Sequence, residues 1–224
     1  MIPHRLARYI LALVLGNTLM PTLSPAQHAQ PTPVNLDIRA MPPGTSPPGF
    51  NFARTGGGAT GQWRVVEDPS AERGKAIAQI SQDRTDYRFP LAIYQPLSAK
   101  DVDVTVRFKP VSGRVDQAGG IAVRLTSPDD YYVVRANALE DNVNFYRVVK
   151  GRRSQIKGVD TKVAGNQWHS LGLRAERNRF TISFDGRQLF TAEDDTYADT
   201  GQVALWTKAD SVTHFDAISI TPLD

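Results

Sequence analysis

Short runs of alternating hydrophobic and polar residues occur along most of the chain. The run at 102–108 is the clearest, because valine or phenylalanine occupies each even position and a polar residue each odd one. Such a period of two predicts β-strands with one buried face. Further runs occur at 63–67, 76–81, 91–94, 121–125, 131–137, 143–149, 156–163, 168–175, 180–184, 187–190, 201–206 and 212–220.

Turn-forming residues separate these runs. The stretch 119–150 contains three runs divided by polar clusters at 127–130 and 140–142, which predicts a three-stranded meander. Asp185-Gly186 is a strong signal for a two-residue hairpin. About a dozen strands and no convincing amphipathic helix predict an all-β fold, a two-sheet antiparallel jelly-roll sandwich. We expect the last strand to pair near the first.

One face of the predicted sheet is a candidate binding surface. A sheet with one buried face leaves the other free to display polar side chains from the meander. Tyr131 and Tyr132 must face opposite ways, and Trp206 must point away from Val203 and Leu205. The candidate substrate-binding residues are Arg124, Tyr131, Asn137, Asn144, Tyr146, Trp206 and Lys208. Two alternatives remain open: Arg135 in an ion pair with Glu140, and Trp206 packed between the sheets.

The chain begins with the layout of a secretory signal peptide. Arg5 and Arg8 precede a short apolar run at 10–15, and small residues and prolines follow. We therefore expect a signal peptide at 1–29, a Pro-rich linker or edge segment at 30–49, and the sandwich at 50–224. A membrane anchor or a flexible cytosolic tail is the alternative. The chain has no cysteine, which favours a periplasmic or secreted bacterial protein without disulfides.

Charge and composition narrow the partners. Arg5 and Arg8 belong to the expected signal peptide, so the rest of the 26 basic residues nearly balances the 23 acidic ones. A nucleic-acid-binding protein needs a clustered basic field, and we expect none here. The basic cluster at 150–153 is interpreted as a solvated hairpin tip. No other apolar run is long enough to span a membrane. We also expect the protein to be a monomer.

Metal binding is a weaker expectation. The ends of the predicted strands carry four carboxylates, Asp129, Asp130, Glu140 and Asp141. Carboxylates at such positions are usually solvated turn residues. Oxygen ligands of this type also bind Ca²⁺, although no EF-hand spacing occurs. The four histidines show no zinc-ligand spacing.

The order of several motifs resembles that of concanavalin A-like, laminin G-like jelly-roll domains. The motifs are Gly119-Gly120 before a strand, Asp-Asp-Tyr-Tyr-Val-Val-Arg at 129–135, Asp185-Gly186, Gly-Gln-Val-Ala-Leu-Trp-Thr at 201–207 and Phe-Asp-x-Ile-x-Ile at 215–220. Over 50–221 the chain is most similar to the bacterial 3-keto-disaccharide hydrolase-like family, which is also described as family-16 glycosidase-like. The resemblance implies two stacked sheets, one concave, and an association with carbohydrate. It also suggests Asp216 as a Ca²⁺ ligand.

The glutamates argue against one form of catalysis. True family-16 glycosidases carry Glu-x-Asp-x-x-Glu for a retaining double displacement, and no glutamate of this chain lies in that pattern. A 3-keto sugar needs different chemistry, since its ketone acidifies the C2 hydrogen and a base then drives elimination. His214 is the candidate base, with an aspartate as alternative. Arg135 is the candidate stabiliser of the enolate, with Arg124 or Lys208 as alternatives.

Two functions are therefore predicted. The first is an exported, carbohydrate-associated domain that hydrolyses or eliminates 3-keto-glycosides. The second is a non-catalytic module of the cell envelope that binds carbohydrate or protein. The missing glutamate pair favours the second.

Overall fold

A computed structural model describes Met1 and residues 32–223, so the expected signal peptide lies, apart from Met1, outside the described residues. The described residues form fifteen strands and one 3-10 turn, Ile38–Ala40. The strands are β1 (Val34–Asn35), β2 (Phe50–Gly56), β3 (Trp63–Glu67), β4 (Lys75–Gln79), β5 (Arg88–Ala99), β6 (Val102–Ser112), β7 (Ala118–Ser127), β8 (Asp130–Asn137), β9 (Asn142–Val149), β10 (Arg152–Asp160), β11 (His169–Glu176), β12 (Arg179–Phe184), β13 (Arg187–Glu193), β14 (Gly201–Thr207) and β15 (Val212–Pro222). The predicted all-β fold is confirmed.

The strands form two antiparallel sheets. Sheet A has eight strands, in the order β13-β12-β11-β6-β15-β4-β3, with β1 paired to β15. Sheet B has seven, in the order β10-β9-β8-β7-β14-β5-β2. The first and last strands are therefore neighbours, as expected. No helix in the described part of the chain is long and apolar enough to cross a membrane.

The main core lies between the two sheets. The alternating residues of β6 and β11 meet those of β7, β8 and β9 there, for example Val106, Leu171 and Tyr132. Gly119 on β7 also faces this core, where a Cβ atom would lie 2.6 Å from Cδ2 of Phe108. The glycine therefore admits the phenylalanine ring. Strand alternation thus accounts for the inner layer.

A second cluster belongs to sheet B alone, and its residues alternate with those of the main core. We call the surface that they form the outer face of sheet B. Its members are Phe89, Leu91, Ile93, Ala118, Ala122, Leu125, Tyr131, Val133, Tyr146, Val148, Ala204 and Trp206. Both faces of this sheet are therefore apolar over much of their area.

Some element boundaries differ from the predictions. β5 extends over Arg88–Ala99, well beyond the predicted 91–94, and β10 begins at Arg152 instead of 156. The Asp185-Gly186 hairpin is confirmed, and its residues have φ angles of 47° and 75°. Both values lie in the left-handed region that this turn type requires.

Candidate functional site

Most of the predicted site residues lie together on the outer face of sheet B. Tyr131, Tyr146 and Trp206 belong to its apolar cluster. Arg135 is directly opposite Asn144 on the neighbouring strand, and Asn137 follows Arg135 on the same side of β8. Lys208 follows the end of β14. The strand order of sheet B therefore brings together side chains from β8, β9 and the end of β14.

Arg135 is the centre of a hydrogen-bond network. It is 3% exposed, and its Nη2 donates to Glu140 Oε2 at 2.6 Å and to the Tyr146 hydroxyl at 3.0 Å. Its Nη1 donates to Asn142 Oδ1. In the amide orientation that satisfies both of its atoms, Asn144 accepts from the Tyr146 hydroxyl at 3.1 Å. The ion pair with Glu140 that the sequence left open is therefore present.

The charge of Glu140 follows from this pair. Burial raises the pKa of Glu140, but the attraction and hydrogen bond of Arg135 outweigh it and hold the pKa below its ordinary value. The carboxylate is then ionised at neutral pH and compensates the arginine.

Arg153, on edge strand β10, completes this surface. Its guanidinium carbon lies over three rings of the outer face, 4.4 Å from the centroid of Tyr146, 4.7 Å from Phe89 and 5.8 Å from Trp206. Its backbone N–H donates to the hydroxyl of Tyr87, a ring that is 45% exposed. Arg153 is not among the residues predicted from the sequence, because the basic cluster at 150–153 is typical of a solvated hairpin tip.

A buried ion pair lies at the other end of the outer face. The Lys208 ammonium is 2.7 Å from Asp116 Oδ2 and 3.2 Å from Asp86 Oδ1. Burial lowers the pKa of Lys208, but the hydrogen bonds and attraction of Asp116 and Asp86 outweigh it and raise the pKa. Asn137 donates to Asp116 Oδ1 at 2.6 Å. Asn137 and Lys208 therefore hold Asp116, which the sequence did not single out.

Trp206 points to the outer face as predicted, but its ring is fully buried. It stacks on Phe89 with ring centroids 5.2 Å apart, and its Nε1 donates to the Tyr131 hydroxyl at 3.3 Å. Trp206 is therefore part of the floor of this surface, and it is neither exposed nor packed between the two sheets. The more exposed groups of the surface are Tyr87, Glu140, Gln155 and Arg153.

Arg124 does not join the other predicted binding residues. A bulge in β7 gives it a φ of 50°, and its guanidinium lies 5.2 Å from the Phe180 ring centroid of sheet A. Its nitrogens donate to Lys100 O at 2.8 Å, to Tyr197 O at 2.7 Å and to Arg177 O. The side chain thus ties loops together, and its expected place on the displayed face is corrected.

His214 lies on sheet A, with its side chain on the surface away from the core. Its Nδ1 is 2.7 Å from Asp68 Oδ2, which is 2.5 Å from the Lys109 ammonium. Ser70 donates to Asp68 Oδ1 at 2.7 Å and accepts from Trp168 Nε1 at 3.0 Å. Stacked sheets are about 10 Å apart. His214 and Arg135, the two candidate catalytic residues, are therefore separated by the thickness of the sandwich.

The Asp68–His214 pair has a defined charge state. Burial lowers the pKa of His214 below its ordinary 6.5, although Asp68 opposes this. Burial raises the pKa of Asp68, but hydrogen bonds from Lys109, Ser70 and His214 outweigh it and lower the pKa well below the usual range. A neutral imidazole beside a carboxylate is therefore favoured at neutral pH.

Asp216, the predicted metal ligand, is also on sheet A. Its Oδ2 accepts from the Glu72 backbone N–H at 2.7 Å and from Arg107 Nη1 at 3.3 Å, whereas its buried Oδ1 has no partner in the part of the chain that the structure describes. Burial raises the pKa of Asp216. Within residues 32–223 no group of three His, Asp or Glu side chains is arranged to hold a metal. The Ca²⁺ expectation therefore depends on Asp216 alone.

Known structures establish the class of fold. A carbohydrate-binding module from Bacillus subtilis matches with a TM-score of 0.59 and 22% identity, over 76% of this chain and 94% of that one. A Bacillus licheniformis beta-glucanase matches with a TM-score of 0.53 and 13% identity, over 88% and 100%. A Bacillus subtilis protein of unknown function with a galectin-like fold gives 0.53 and 11%, over 76% and 89%.

The protein is therefore a jelly-roll sandwich. No protein-family model and no curated protein matches the chain. Membership of the 3-keto-disaccharide hydrolase-like family stays a prediction.

Proposed function

We propose that the protein is an exported, non-catalytic, saccharide-binding jelly-roll domain whose ligand contacts the outer face of sheet B. One observation carries the proposal: fixed hydrogen-bonding groups and aromatic rings occur side by side on this face. Arg135, Tyr146 and Asn144 form a connected donor and acceptor network over an aromatic floor. Saccharides present hydroxyl groups and apolar ring faces together. The polar network complements the hydroxyl groups, and the exposed ring of Tyr87 complements a ring face.

The comparisons give secondary support. One structure with this fold is a carbohydrate-binding module and another is a beta-glucanase. At 22% and 13% identity they make a saccharide ligand a reasonable first choice for testing. Export is proposed because charged, apolar and small residues follow one another at 1–29 in the order typical of a signal peptide.

Binding is favoured over 3-keto-glycoside elimination. Elimination needs a base and an enolate-stabilising cation within reach of one sugar. His214 and Arg135 are on different sheets, and the carboxylates beside Arg135 and Lys208 are engaged in ion pairs. The Asp68–His214 pair retains the features of a base, so turnover of a 3-keto-disaccharide is the appropriate second assay.

The test is a binding screen with matched variants. The purified protein is screened against neutral and acidic oligosaccharides and then titrated with each ligand found. We expect Arg135→Met to weaken binding at least tenfold. Arg174→Met removes a half-buried arginine from the outer side of sheet A and should leave affinity unchanged.

Three other results would change the account. No binding by the folded protein would contradict saccharide recognition and direct the search to protein partners. Binding that is lost in Arg174→Met but retained in Arg135→Met would contradict the location. Cleavage of a 3-keto-disaccharide would contradict the non-catalytic assignment.

A further inference from the structure

Two buried guanidinium nitrogens on the outer face of sheet B have no hydrogen-bond acceptor among residues 32–223. They are Nη1 of Arg153 and Nε of Arg135. Buried donors are nearly always paired in native proteins, because an unpaired donor keeps its desolvation cost without compensation. A ligand acceptor at this surface would remove that cost.

Both arginines contact the same ring. The guanidinium carbon of Arg153 is 4.4 Å from the Tyr146 centroid, and that of Arg135 is 5.7 Å from it. Arg135 projects from β8 and Arg153 from β10, whereas Tyr146 is on β9 between them. The two guanidinium groups therefore lie beside one ring.

The charges of this face are compensated unequally. Arg135 has Glu140 at 2.6 Å, and Lys208 has Asp116 at 2.7 Å. Arg153 forms no ion pair with any carboxylate of residues 32–223, and its charge faces only aromatic rings. The surface around Tyr146 therefore keeps one uncompensated positive charge.

A guanidinium with free N–H groups binds a carboxylate with particular strength. Its planar fork matches two carboxylate oxygens, and the interaction is strengthened where water is excluded. A neutral hydroxyl would satisfy one donor but would leave the charge of Arg153 uncompensated.

We propose, building on saccharide binding as the function, that the ligand is an acidic saccharide whose uronic carboxylate pairs with Arg153 beside Tyr146. Arg153 is then the residue that determines specificity for charge. Arg135 supplies the second donor and is held by its contacts with Glu140 and Tyr146.

The test uses ligand pairs that differ only in charge. Oligomers of galacturonate, glucuronate and mannuronate are each compared with their methyl esters by titration calorimetry at 50 and 500 mM NaCl. We expect at least one acid to bind tenfold or more tightly than its ester, with a preference that shrinks at high salt.

Two variants locate the charge. In Arg153→Gln, the acidic oligomer should bind no more tightly than its methyl ester. Arg152→Gln, at the exposed neighbouring position of β10, should keep the preference. If Arg153→Gln does not fold, Arg153→Lys keeps the charge without the planar fork and should retain only part of the preference.

The outcomes separate this inference from the proposed function. Equal affinity for acid and ester, or binding of neutral saccharides alone, overturns the inference and leaves saccharide binding intact. A preference for acid that survives Arg153→Gln also overturns it. Failure to bind any saccharide, acidic or neutral, overturns both.

Discussion

Arg153 lies over the ring of Tyr146, with its guanidinium carbon 4.4 Å from the ring centroid. The arginine comes from the edge strand of sheet B and the tyrosine from the strand beside it. This contact joins a cation to the polar network of Arg135 and to the aromatic floor formed with Phe89 and Trp206. The outer face of sheet B therefore supplies both the aromatic rings and the charged groups of the proposed site.

Loss of the Tyr131 hydroxyl should destabilise the fold. This hydroxyl is buried, 2.6 Å from Thr55 Oγ1, and accepts from Trp206 Nε1; burial raises the pKa of Tyr131 to about 12. Tyr131→Phe leaves the indole N–H unpaired, at a cost of about 1–3 kcal/mol. Urea denaturation measures the loss.

Tyr94→Phe is the matched control, since its hydroxyl has no hydrogen-bond partner within residues 32–223. Equal stability of the two variants would contradict the role of the Tyr131 hydroxyl.

A methyl group at Gly120 should disturb the outer face of sheet B. An added Cβ would be 2.6 Å from Val134 O and 3.2 Å from both Arg135 Cβ and Trp206 Cε3. Gly120→Ala should cost about 1–3 kcal/mol by overpacking and weaken ligand binding. At Gly165 the added atom meets only the end of the Gln117 side chain, so Gly165→Ala is the control. Unchanged melting of Gly120→Ala would show that the face is less tightly packed.

Acidification should destabilise the protein in two steps. Folding lowers the pKa of His214 below its ordinary 6.5. As the pH falls, this histidine is therefore protonated in the unfolded chain before it is protonated in the folded protein, and stability decreases below about pH 6.5. The slope from one such group is at most about 1.4 kcal/mol per pH unit. The depressed pKa of Asp68 adds a second loss below about pH 4.

Chemical denaturation at several pH values measures these slopes. His214→Gln should reduce the slope between pH 6.5 and 5 relative to the wild type. Identical slopes in the two proteins would show that His214 does not control this range.

Calcium should have little effect on stability. The Asp216 carboxylate already accepts from the Arg107 guanidinium and the Glu72 backbone N–H, and no further carboxylates of the described residues complete a cage around it. We expect the melting temperature to be the same in 5 mM CaCl₂ and in 5 mM EDTA, to within about 1 °C. A rise with calcium that disappears in Asp216→Asn would identify a site at this residue.

The strands were predictable because their signals are local. Alternation at 102–108 and the Asp185-Gly186 turn each depend on neighbouring residues only, and β6 and the hairpin occur as expected. The same period of two correctly assigned Tyr131 and Tyr132 to opposite faces of sheet B.

The site required strand order, which local patterns do not contain. Arg153 is shielded by Phe89 and Trp206, which are distant in sequence and become its neighbours only through the order of sheet B. For the same reason nothing in the sequence separated His214 from Arg135. A single bulge in β7 was enough to turn Arg124 away from the face predicted for it.

The decisive measurement is a titration of the purified protein with its best saccharide ligand, carried out on wild type, Arg135→Met and Arg174→Met. We expect saturable binding that weakens at least tenfold in Arg135→Met and is unchanged in Arg174→Met. Affinity that is indifferent to Arg135→Met, or an absence of saccharide binding by the folded protein, would contradict the proposed function.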